Sequence, residues 1–404
     1  MFLRYLAGRL PLTCRQRDET WDYSLEKRVS NLTQFTEEAL MKVTHRGGVV
    51  LLALLAIATP LLAQSNVSVF ASGLNNPRGL RFGPDGYLYV AEGGTGGSLS
   101  TVGQCDQVPG PVGPYTGDFT ARISKINRKG VRHTVVDHLP SSQTSPNLGN
   151  LVSGVSDVEF VGDTLYALLA GAGCSHGLAG TTNGVIRIAR NGTWDLVADL
   201  SAFQKANPVA NPDLADFEPD GTWYSMVAHE GRLYAVEPNH QEIDRVSLWD
   251  GNIQRVVDVS VDHPQWIGPT ALVFRHGSFV FGTLGQFPIV PGSESVFKLK
   301  LDGDYNSLAS GFTTVQGLAY DERGRLYVLE SMTAPGFPGP NEIGTGTIVR
   351  LEHGGAVTTI ATGLSFPSAM TFGPDGKLYV SNFGFGAPPG AGEILQIDVP
   401  CDDH

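Results

Sequence analysis

The sequence runs to 404 residues with 50 glycines, 25 prolines and 17% charged residues, and its formal net charge is −12 at pH 7. An acidic balance of this kind excludes the basic face that nucleic acid or an anionic membrane surface requires. Length alone suggests two or three domains, but closed all-β folds run longer as one unit, so repeats decide the matter.

In chain order, residues 1–40 mix Arg, Asp and Glu without strand or helix punctuation. They read as an upstream extension ahead of a true start at Met41; a genuine leader before a signal-anchor is the alternative. Residues 41–63 have a basic start at Lys42 and Arg46, ten uninterrupted apolar residues at 49–58, and a small-residue end at Ala63. This is the three-part pattern of a secretory signal peptide, and its apolar run is too short to suit a membrane span. Cleavage after Ala63, a mature form without a membrane span, and a secreted or periplasmic location are the resulting expectations.

From residue 66 to 400 the chain repeats itself. Residues 73–90 and 363–380 follow one template, a short apolar strand, a Pro-Asp-Gly turn (Pro84-Asp85-Gly86, Pro374-Asp375-Gly376) and a strand written Leu-Tyr-Val. Asp-Gly between apolar runs is a strong hairpin signal, because Gly accepts the positive φ of such turns. Four further copies lie at 155–167, 224–235, 268–281 and 315–328, each followed by two more strand-like runs such as 121–126 and 133–136. Six repeats of four antiparallel strands predict an all-β, six-bladed β-propeller, since each unit must bury its apolar face on its neighbours. Residues 67–74 match 357–364, a fourth strand, while the chain stops after a third strand at 393–399. The N-terminal strand is therefore expected to complete the last blade and cover its edge; an unrelated N-terminal arm is the alternative.

Cys14 falls in the segment expected to be removed, which leaves Cys105, Cys174 and Cys401. Cys105 and Cys174 lie in equivalent loops of adjacent blades, and export would let them bridge, with Cys401 unpaired near the tail. No cysteine or histidine spacing suits structural zinc.

Two recurring positions are expected to line the channel mouth. The start of the first strand gives Arg78, Ser156, Tyr224, Thr270, Gln316 and Ser368, all polar, whereas two positions on come Leu80, Val158, Met226, Leu272, Leu318 and Met370, all apolar. This separates a site-facing layer from a core layer; Arg78, Tyr224, Thr270 and Gln316 are the candidate substrate contacts. The end of the second strand gives Glu92, Leu169, Glu237, Thr283, Glu330 and Asn382. Carboxylates at one level raise one another's pKa unless a cation offsets them, so Glu92, Glu237, Glu330 and Asn382 are the candidate ligands of a divalent cation such as Ca²⁺, Mg²⁺ or Mn²⁺. Caps or arginine partners are the competing role for these side chains. Glu237 and His240, three residues apart, are the candidate catalytic pair; His176 is a weaker candidate. The long Gly- and Pro-rich loop at 93–120 and the stretch 207–219 are expected to roof the same mouth.

At Gly73-Leu74-Asn75-Asn76-Pro77-Arg78-Gly79-Leu80, Gly103-Gln104-Cys105, Gly113-Pro114-Tyr115-Thr116-Gly117, Ala121-Arg122-Ile123-Ser124 and Asn211-Pro212-Asp213 the chain resembles the ScyD/ScyE family of exported propellers associated with a cyanobacterial sunscreen pigment. It departs from that family at Thr222-Trp223-Tyr224-Ser225-Met226. More distantly, the Pro-Asp-Gly-x-Leu-Tyr-Val repeat is similar to NHL-repeat and SMP-30 gluconolactonase-like propellers, and the latter resemblance implies a divalent metal at the channel mouth. Two functions follow as expectations. One is an exported, divalent-metal-dependent enzyme acting on a small organic molecule, by lactone hydrolysis or secondary-metabolite processing. The other is a non-catalytic module that binds a protein or carbohydrate.

Overall fold

A computed structural model describes residues 66–400; the upstream extension, the signal-peptide segment and Cys401 lie outside the described residues. Six sheets stand around a common channel as the blades of a propeller. Blade one comprises Pro77–Phe82, Leu88–Glu92, Thr116–Ile126 and Arg132–Gln143, with Val152–Ser153 added at its outer edge. Blades two to five begin at Val155–Val161, Ser225–His229, Pro269–Arg275 and Val315–Tyr320, and each has four strands in sequence order. The third and fourth strands of blade one run longer than the apolar pattern indicates, which carries them up into the mouth loops.

Blade six holds Ala369–Phe372, Leu378–Asn382 and Gly392–Ile397, and its fourth strand is Val67–Leu74 from the other end of the chain. The two termini pair antiparallel from Val67 opposite Ile397 to Leu74 opposite Gly392. Asn66 reinforces the join by donating to the carbonyls of Ile360 and Asp398.

The repeated tetrad of Pro, Asp, Gly and Tyr has a local cause. In blade one, Gly86 takes φ 76°. Asp85 accepts the Tyr87 N–H at 3.2 Å and the Tyr89 hydroxyl at 3.0 Å. Blade six repeats this with Gly376 at φ 77° and with Asp375 accepting from Lys377 and Tyr379. In blade five Asp321 accepts from Arg325 and Tyr327 in the same way. One aspartate thus closes the turn and fixes the tyrosine of the following strand, so the turn and the strand must be written together.

The apolar ring predicted from the sequence is buried, from Val158 at 0% to Met370 at 7% exposure. Its members are shared among six clusters that fill the spaces between adjacent blades. Each such side chain contributes about 2 kcal/mol on leaving water. A seventh cluster, Ile289, Met332 and Phe366 with Phe287 and Phe385 against it, belongs to the loops over the mouth.

Candidate functional site

The first strands of the blades bring the six polar positions to one level. Arg78, Ser156, Tyr224, Thr270, Gln316 and Ser368 all line a throat of about 30 Å³. Three of them are spent on the backbone. Ser156 donates to the Leu168 carbonyl at 3.3 Å, Ser368 to that of Pro77 at 2.7 Å, and Thr270 to those of Gly282 and Val315. Arg78, Tyr224 and Gln316 also form the floor of a larger cavity of about 240 Å³ above the throat, and Thr270 does not reach it.

Loops roof this upper cavity. Pro111, Val112 and Tyr115 come from the long blade-one loop, Asp213, Ala215, Asp216 and Glu218 from the Pro-rich stretch, and Trp266, Phe287, Phe337 and Phe385 from the other blades. A disulfide between Cys105 and Cys174, Cα atoms 6.3 Å apart, ties the blade-one loop to blade two. Thr101 adds a hydrogen bond to the Cys174 carbonyl.

The wall of the cavity holds a pair of carboxyl groups whose pKa values are driven in opposite directions. Glu218 is buried and accepts from Tyr115 at 2.6 Å, from Thr222 at 2.6 Å and from His176 Nε2 at 3.1 Å. Burial alone would raise its pKa, but His176, Thr222 and Tyr115 together hold it below the usual carboxylate range. Asp216 lies on the other side of this balance. Burial and the neighbouring Glu218 charge push it well above its ordinary value, and its Oδ1 is buried with no hydrogen-bond partner. Two carboxyls whose environments separate their pKa values are the usual arrangement for a proton donor beside a fixed charge.

His176, weak in the sequence, is fully buried, with Nδ1 2.8 Å from Ser142 Oγ. A chain of Ser142, His176 and Glu218 has the order of a hydrolase triad, but Ser142 is 0% exposed and lines none of the three channel cavities. Glu218, as a pure acceptor, takes the Nε2 proton, and Nδ1 is left to the Ser142 hydroxyl. The chain therefore fixes Glu218 rather than supplying a nucleophile.

The second predicted ring has a different role. Glu92 accepts the Asn75 N–H, Glu237 that of Thr222, Glu330 that of Thr313, and Asn382 that of Ser365, at 2.8, 2.8, 2.7 and 2.8 Å. Each residue staples the loop preceding its own blade to the end of that blade's second strand. Glu92 is further paired with Arg122 and Arg132. Glu237 also takes the His240 N–H at 2.5 Å and faces its ring nitrogen at 3.2 Å. Neither Glu237 nor His240 lines the mouth cavity. Among the described residues no three His, Cys, Asp or Glu side chains stand close enough to share a metal ion. Glu92, Glu237, Glu330 and Asn382 are each engaged by the N–H of their own preceding loop, and among the described residues no three such carboxylates gather at one point, which does not fit the shared cation expected of them, so no chemistry is routed through one.

Asp216 and Glu218 had no repeat to reveal them, because they sit in a segment present in one blade only. The signal available was the length and proline content of residues 207–219.

No family model and no curated protein matches the sequence, so the ScyD/ScyE likeness rests on its motifs. Among solved structures the chain is similar to a Bacteroides thetaiotaomicron protein of unknown function, at 12% identity and TM-score 0.51 over 82% of this chain and 75% of that one. It is also similar to a gluconolactonase from Xanthomonas campestris, at 12% identity and TM-score 0.49 over 83% and 89%. A streptogramin B lyase aligns at 13% identity and TM-score 0.47 over 83% and 97%. At these identities what is shared is the six-bladed propeller.

Proposed function

We propose that the protein is an exported enzyme that acts on a small organic molecule held in the mouth cavity, with Asp216 as the proton-transferring group. The observation that carries this reading is Asp216 itself, a side chain that lines a largely apolar cavity and whose Oδ1 is buried with no hydrogen-bond partner. A polar atom left in that state is costly unless a ligand completes it. Glu218 has its oxygens occupied, so its part is to keep Asp216 protonated. A protonated carboxyl in an apolar pocket suits donation to a departing or developing oxygen, and hydrolysis of a lactone-like ester is the most ordinary such reaction. The ScyD/ScyE motifs favour an aromatic secondary metabolite as the natural substrate. The signal-like segment and the Cys105–Cys174 disulfide support an oxidising compartment.

Purified protein assayed on dihydrocoumarin and other aryl lactones tests the reading. Asp216→Asn is expected to lower kcat by about a hundredfold or more while the protein stays folded. Equal turnover by the variant, or ligand binding without turnover by either protein, would remove the catalytic reading and leave a binding module.

A further inference from the structure

The floor of the mouth cavity carries a charge that nothing answers. Arg78 is 7% exposed, and a guanidinium stays positive at any physiological pH. Burial lowers its pKa, and Tyr224 is the group that offsets this, as hydrogen-bond partner and through its electron-rich ring, 5.2 Å from the guanidinium carbon. Tyr224 is not a counter-charge, because burial keeps its hydroxyl protonated. Among the described residues no Asp or Glu pairs with Arg78, although Arg81, three residues on, is paired with Glu159. The nearest acidic wall is already committed. Glu218 is bound by His176, Thr222 and Tyr115, and burial beside Glu218 pushes the Asp216 carboxyl toward its uncharged form. Gln316 lies on the same floor, and its side-chain amide has no protein partner among the described residues.

A buried, unpaired cation is a large cost to a folded protein unless something else supplies the opposite charge. Here the cation opens onto a cavity, so the missing charge can come from a ligand. We propose that Arg78, with Gln316 and the Tyr224 hydroxyl, is an anion receptor, and that the molecule it receives is a small aromatic carboxylate. The proposal rests on the mouth cavity being the ligand site and adds the class of molecule. A guanidinium fork matches a carboxylate with two parallel hydrogen bonds. The body of the ligand is set by the walls, in which Tyr224, Trp266, Phe287 and Phe337 present rings. A space of about 240 Å³ corresponds to about eight waters, which suits a ligand on the order of ten non-hydrogen atoms. The anion then sits at the throat, and the uncharged end of the ligand lies toward the roof and Asp216.

Calorimetric titration of the folded protein with 3-phenylpropionate and with its amide tests this at one pH and low salt. Wild-type protein should bind the acid at least tenfold more tightly than the amide. Arg78→Met should remove that preference and bind both as weakly as wild type binds the amide. It should also melt at or above the wild-type temperature without ligand, since an uncompensated buried charge has gone. Arg78→Lys, which keeps the charge without the fork, covers the case in which the methionine variant does not fold, and it should show a reduced preference. Equal binding of acid and amide by wild type, or a preference that survives in Arg78→Met, overturns the receptor while leaving the cavity as the ligand site. Absence of binding by either probe overturns both. Stabilisation by inorganic sulfate as strong as by the acid would make this a site for free anions and overturn the aromatic carboxylate.

Discussion

Asp157 sits where the throat meets the lower part of the channel and lines both. It packs so closely on Gly79 that a Cβ there would lie 1.8 Å from its Oδ1, which accounts for a glycine beside Arg78. Its oxygens accept the Met226 and Val158 N–H groups, each at 2.8 Å. Burial nevertheless raises it to about 7, with Arg81 opposing and Glu159 adding to the rise. An unfolded aspartate titrates near 4, so between about pH 4 and 7 the folded protein holds a proton that the unfolded chain has released. The stability this contributes is complete below about pH 4, erodes as the pH rises, and is gone once the pH has passed 7. Thermal melts at intervals from pH 4 to 8 should show this decline, and Asp157→Asn should flatten it. The variant should also melt lower at pH 5, because an amide nitrogen cannot accept one of the two N–H groups. An unchanged pH profile in the variant would place the titration elsewhere. Repeat alignment reports which residues share a level, not which way their side chains face. Leu88, Val90 and Glu92 alternate with Tyr89 and Ala91 along one strand, and both sets point at neighbouring blades. Among the described residues the first strands line the channel, their starts at the throat and their later residues below it.

Among the elements, the strands were legible and the loops only in outline. Turn aspartates, alternating apolar residues and the closing strand all follow from period and local chemistry, so the blades could be placed from their letters. Loop contacts depend on which distant segments meet, as Tyr115 meets Glu218 across 103 positions, and no local pattern encodes that. The Cys105–Cys174 bridge closes a separation of 69 residues and holds down the loop that supplies Pro111, Val112 and Tyr115 to the roof. Replacing both cysteines by serine is expected to cost about 2–4 kcal/mol of stability, read by denaturant titration. Ligand affinity should fall with it, because Tyr115 is one of three groups that fix Glu218. A double variant with wild-type affinity would show that the roof is set by its other contacts alone.

For the molecule as a whole, stability depends on one join between strands at opposite ends of the sequence. Deleting residues 64–74 leaves Gly392–Ile397 as an open edge and uncovers Leu74's place between blades six and one. Such a chain should melt roughly 10 °C or more below the intact protein and associate through that edge. A synthetic peptide of residues 64–76 should restore the melting temperature; a deletion that melts like the intact protein would show that the join is dispensable. The join also sets an order of events during synthesis. Val67 is among the first described residues to leave the ribosome, and its partner Ile397 is among the last. The ring therefore cannot close on a growing chain, and every premature stop yields a product with two unsatisfied edges. Closing the ring is thus the last step available to the chain, because the strand that seals blade six waits for a partner made some 330 residues later.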